Sequence, residues 1–140
     1  MQSRFDGYNH IIRLDKGELL IDSLSKWAIE HNIGGGWISG IGAARWAELG
    51  YYDLKKQNYH WKKIKDLVEI DSLQGNLSWI DDAPSIHLHA TFSDSKMRTT
   101  GGHVKELEVG GTCEIFVHAT FGTPITRFLN KDTGLKLLDL

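Results

Sequence analysis

After the glycine triplet Gly34–Gly36 the chain changes texture. To about residue 120 it runs in short segments rich in Trp, Ile, Val and Tyr, broken by Gly, Asn and Asp. β-Branched and aromatic side chains suit a pleated, half-buried surface, and the interrupting residues suit turns. The pattern predicts strands near 36–42, 45–53, 57–64, 67–80, 86–92, 103–109 and 113–120, with a further extended piece after Arg127. Ahead of the triplet, "RLDKGELLIDSLSKWAIEHNIGGG" is the one clear helix: Leu20, Leu24, Trp27, Ala28 and His31 share a face. Asp15 and Glu18 have capping-box spacing, and the glycines supply a stop. One helix and then many strands, without alternation, indicates an α+β fold: a mostly antiparallel sheet with one main N-terminal helix.

A chain of 140 residues, 41% hydrophobic and with five tryptophans, can bury one real core, so residues 1–140 are read as a single domain. Its formal net charge of −2 argues against the broad positive field of a stand-alone nucleic-acid binder. Cys113 is the only cysteine, which excludes an intrachain disulfide and a thiolate zinc cluster within one chain. Any metal must rest on imidazole and carboxylate. No basic leader and no apolar run of membrane-spanning length is present, so a soluble, cytoplasmic protein without membrane partners is expected.

The segment "IHLHATF", Ile86 to Phe92, carries two histidines one residue apart. In a strand, residues i and i+2 point to the same face, which puts His87 and His89 side by side, roughly 7 Å apart at Cα. A polar connection and Gly101–Gly102 then lead to His103. A hairpin with His103 opposite or diagonal to His89 would bring three imidazoles onto one face, and a one-residue slip would turn His103 away. Three nitrogen donors suit zinc and leave a coordination position for water or substrate. Equally, an isolated H-x-H fits ordinary solvated histidines on a sheet. Glu114 is the nearest carboxylate by sequence, a candidate ligand or general base, with His118 on the same face of its strand.

The stretches "IIRLDKGE", "GGGWISGIGAARWAELGYYD", "VEIDSLQGNLSWIDDAPSIHLHATFSD" and "GGHVKELEVGGTCEIFV", in this order, resemble the PPC domain, named for its occurrence in plants and prokaryotes. The resemblance implies an α+β subunit assembled as a homotrimer, with a fold related to acetolactate decarboxylase, which holds zinc through three histidines. By it, His87, His89 and His103 are the metal ligands and zinc, or another divalent transition metal, the cofactor. Plant members bind DNA through a separate AT-hook, and no Arg-Gly-Arg-Pro segment occurs here. Their Gly-Arg-Phe-Glu-Ile-Leu partner motif is reduced to "DLVEID", which keeps Glu69 and Ile70.

"KKQNYHWKKIK" is the only basic cluster: Lys55, Lys56, Lys62, Lys63 and Lys65 interleave with Tyr59, His60 and Trp61. It reads either as a phosphate-contacting strand with aromatics for stacking, or as an edge strand kept soluble by lysine, the favoured alternative. Gly40 and Gly42 in "SGIGAA" lack the lysine of a phosphate loop and suit close backbone packing. Arg13 is a candidate clamp for a carboxylate or phosphate, or a partner for a carboxylate across a subunit contact. The leading expectation is a small zinc protein, with lyase-like or hydrolase-like chemistry on a small carbonyl or carboxylate compound, Glu114 and Arg13 assisting. The alternatives are a DNA-binding or regulatory module using the lysines, and a structural trimer with packed histidines.

Overall fold

The computed structural model describes residues 1–140. In chain order the elements are β1 (Gln2–Phe5), β2 (His10–Asp15), α1 (Leu20–Glu30), β3 (Gly35–Asp53) and β4 (Asn58–Ile64). β5 (Val68–Ile80), β6 (Ala83–Ser93), β7 (Thr99–Thr120), β8 (Thr126–Leu129) and β9 (Lys136–Asp139) follow. The fold is α+β with a single helix, and every strand pairing is antiparallel except a one-residue parallel contact of β8 on β5. The sheet runs β1-β2-β7-β3-β5-β8-β9, with β4 added to β3 and β6 bridging β5 and β7. β3 pairs with β5 and β7, and β6 pairs with both of those, so these four strands close a ring of pairings.

Two boundaries differ from the sequence reading. The predicted pieces 36–42 and 45–53 are one strand, β3, and 103–109 and 113–120 belong to one strand, β7. The glycines and polar residues that resemble turn signals are bulges: the β3–β7 register shifts between Gly42 and Ala44, Ala44 and Trp46, and Glu48 and Leu49. A bulge bends a strand without ending it, which lets β3 and β7 curl far enough to pair on both sides. Gly42 serves this bend, because a Cβ there would lie 2.3 Å from the carbonyl oxygen of Thr112.

The helix is shorter than the sequence spacing suggests. Arg13–Asp15 finishes β2, and Asp15 and Glu18 form a turn in which the Glu18 carboxylate accepts the Asp15 N–H at 2.7 Å. The helix N-terminus is capped instead from β7, where Glu106 accepts N–H groups of Ile21 (2.8 Å) and Asp22 (3.2 Å). At the other end Asn32 adopts φ 52°. Its N–H bonds to Ile29 and that of Ile33 to Ala28, a Schellman closure completed before the glycines are reached. Leu20, Leu24, Trp27 and Ala28 are buried and join Leu73, Leu88, Phe92, Val104 and Leu107 in one hydrophobic cluster. His31, the fifth residue of the predicted face, lies at the exposed end.

Candidate metal centre

On β6, Leu88, Ala90 and Phe92 are buried, so the period-2 alternation turns His87 and His89 to the opposite face. On β7 the buried Val104 does the same for His103. The β6–β7 register puts His89 directly opposite His103. Its loop, Asp94–Arg98, is braced by Asp94, which accepts the N–H groups of Lys96 and Arg98 and pairs with the Arg98 guanidinium at 2.6 Å. Burial of one face thus selects the register.

The three rings converge. One nitrogen from each of His87, His89 and His103 lies within 4.8 Å of the others. Tetrahedral zinc with 2.0–2.1 Å bonds needs about 3.4 Å between nitrogens, a difference that small ring rotations close. His103 Nδ1 is buried with no hydrogen-bond partner, an uncommon state for a buried polar atom. Burial, reinforced by the two neighbouring histidines, pushes the His103 imidazole down to about 4. Burial also lowers His87, with the Arg127 charge and His89 adding to it. Both are therefore neutral near pH 7, the form that ligates metal.

The basic cluster is divided by the same alternation. Tyr59 and Trp61 point to the histidine side: the Tyr59 ring centroid is 5.0 Å from that of His103 and 4.6 Å from that of Trp61. The aromatics thus cover the histidine site. Gly50, opposite Trp61 and His103, makes room for them. Lys63 lies 3.8 Å over the Trp46 ring and Lys56 lies 4.0 Å from Asp53. Lys62 opposes the core residue Leu49, on the other face from Lys63. Lys55 and Lys65 are exposed, so the five lysines do not form one stripe.

Glu114 and Arg13 stand away from the histidines. They oppose each other on β7 and β2, and across the sheet Glu114 is separated from the β6 histidines by β3 and β5, three strand spacings or on the order of 14 Å sideways. Arg13 pairs with Asp15 at 2.9 Å. His118 contacts Asn9. Arg127 instead shares with the histidines a groove of about 850 Å³, lined also by Tyr52, Tyr59 and the β8–β9 hairpin. Reading the sequence missed it because nothing local marks one arginine in a short tail strand. The hairpin is tied across the sheet by Tyr52 Oη donating to the Thr133 carbonyl (2.8 Å) and Gln57 donating to that of Asp132 (3.0 Å).

The model of the Plants and Prokaryotes Conserved (PCC) domain matches residues 1–120. The chain belongs to that family. Among solved structures, a metal-containing protein from Archaeoglobus fulgidus is 35% identical, with TM-score 0.89 over 100% of this chain and 99% of its own. A protein from Bacteroides thetaiotaomicron, provisionally called DNA-binding, is 28% identical, with TM-score 0.93 over 99% and 96%. The acetolactate decarboxylase of Bacillus subtilis shares the fold at 16% identity and TM-score 0.55, over 93% of this chain and 60% of the enzyme. No curated protein matches the chain in sequence. The β8–β9 hairpin, with Arg127, lies beyond the span of the PCC match.

Proposed function

We propose that this PCC protein holds a divalent transition metal, zinc by the chemistry of its donors, through His87, His89 and His103, beside a groove that admits a small carbonyl or carboxylate compound. The observation that carries the reading is the convergence of three ring nitrogens within 4.8 Å, one ring keeping a buried, unpartnered nitrogen. A bound ion there would act as a Lewis acid on an oxygen ligand or lower the pKa of a water. The chain's own contribution is to orient the imidazoles and keep them neutral, and to shield one side with Tyr59 and Trp61. Likeness to the metal-containing Archaeoglobus protein supports it. Glu114 and Arg13 would join such a site only from a second subunit, as in the homotrimer the family resemblance implies.

Elemental analysis after zinc reconstitution and dialysis tests the site. Near one metal per chain in the wild type, lost in both His87→Ala and His103→Ala, is expected. A metal-free wild type would end the proposal.

A second reading, DNA binding, is favoured by the provisional name of the Bacteroides relative and by the lysines of β4 and its flanks. Salt-dependent affinity that falls when Lys62 and Lys63 are neutralised, with a log-log slope shallower by about 0.9 for each phosphate no longer neutralised, would support it. Affinity unchanged by that double substitution would remove the lysines from the reading.

A further inference from the structure

We propose that Arg127 is the recognition residue of an anion subsite beside the histidines, built to take the carboxylate of a small 2-oxo or 2-hydroxy acid. The inference rests on the metal reading for the second half of the ligand and on Arg127 alone for the first. Arg127 Nε donates to Ser78 Oγ at 2.6 Å, Nη2 to Asn76 Oδ1 at 2.6 Å and Nη1 to the Lys136 carbonyl at 2.7 Å. Each acceptor is neutral, and no carboxylate lies within ion-pair distance of the guanidinium. Three of five donors thus hold the guanidinium in place, leaving one N–H on each terminal nitrogen for a carboxylate ligand.

Position and charge agree with this. Asn76, which holds one arm of the fork, is the cross-strand partner of His87. Arg127 and His87 line the same groove. The chain carries 18 acidic residues, yet none lines the groove, whereas Arg127 and Lys136 both do. A groove with a fixed guanidinium and no carboxylate of its own leaves the negative charge to its ligand. A 2-oxo or 2-hydroxy acid carries its second oxygen one carbon from the carboxylate, so a single small molecule can meet Arg127 and face the histidines.

The test is calorimetric titration of pyruvate and of inorganic phosphate into wild type, Arg127→Met and Arg127→Lys. Each protein is titrated zinc-loaded and chelator-treated, with metal content and thermal midpoint measured on the same samples. Pyruvate is expected to bind zinc-loaded wild type more tightly than phosphate does. It should weaken at least tenfold in Arg127→Met and less in Arg127→Lys, with zinc stoichiometry unchanged. If wild type retains no zinc, the metal reading fails on its own, and the chelator-treated titrations decide: pyruvate binding that requires Arg127 upholds the anion subsite. Equal pyruvate affinity in wild type and Arg127→Met, or none in wild type, overturns it. Tighter phosphate binding overturns the carboxylate assignment. If Arg127→Met does not fold, Arg127→Lys, which keeps the charge and loses the fork, takes its place with the same criterion of weakened pyruvate binding.

Discussion

Gly50 is a residue whose value lies in what is missing. A Cβ on it would stand 2.6 Å from Trp61 Cζ3 and 2.7 Å from Tyr59 Cδ1, so the aromatic pair beside His103 lies flat on β3 only because no side chain intervenes. Gly50→Ala must push these rings off the strand. Disturbing groups that orient a metal ligand typically costs 10- to 100-fold in affinity. About a tenfold weaker zinc affinity is therefore expected, with the far-UV circular dichroism of the fold retained. Competition against a chromophoric chelator measures it, and an unchanged affinity would show that the Tyr59–Trp61 pair does not position His103. His87 and His89 were legible as a pair from their spacing alone, since the period of a strand is the same in any context. His103 was legible only as a conditional third, because its face depends on a register that no local residue states.

At the level of elements, the helix shows where local signals fail. The capping-box spacing of Asp15 and Glu18 builds a turn one step too early, and the N–H groups of Ile21 and Asp22 are satisfied by Glu106, 85 positions from Ile21 along the chain. Removing an N-terminal cap costs about 0.5–2 kcal/mol. Glu106→Ala should lower the stability by about that amount, read from urea midpoints, while Glu106→Gln, which keeps an acceptor, should recover part of it. Equal loss in both variants would mean that charge at the helix N-terminus, and not the acceptor, supplies the stabilisation. The buried face of α1 was correctly visible in the spacing of Leu20, Leu24, Trp27 and Ala28. In β3 and β7, bulges resemble turns in sequence because both use glycine and polar residues. Pairing on two sides makes them continuous strands.

For the whole molecule, one consequence concerns acid. His10 is 7% exposed, its ring centroid 4.9 Å from that of Trp27 and 4.7 Å from that of Phe5, and its Nε2 has no partner. Burial lowers its proton affinity below the ordinary value of 6.5, the charge of His31, just past the end of α1, lowers it further, and Asp6 opposes. The unfolded chain therefore binds the proton more readily, so stability falls as pH drops below about 6.5 and the loss is complete beneath the folded-state value. His87 and His103 shift in the same direction. Chelator-treated protein should show a lower urea midpoint at pH 5 than at pH 7.5, and His10→Phe, which keeps the aromatic packing, should show a smaller drop. An identical drop would place the acid sensitivity elsewhere.

A second consequence concerns assembly. Trp37, Ile41 and Phe116 are 55%, 57% and 47% exposed on neighbouring strands of one face, an apolar surface of the kind that self-association covers. Association through this face predicts that Phe116→Lys lowers the light-scattering mass relative to wild type; a wild-type mass equal to the monomer's, or one that the substitution leaves unchanged, would rule this face out as a contact. The α+β class, the buried face of the helix, the outward pair His87 and His89 and, through ordered motifs, the family were all readable without a fold. These depend on local periodicity and residue order. The pairing of His103 with His89, the separation of Glu114 and Arg13 from that pair, and the place of Arg127 on the same groove became visible only in three dimensions. Each depends on which strands meet and in what register, a choice made by burying one face of the whole sheet at once.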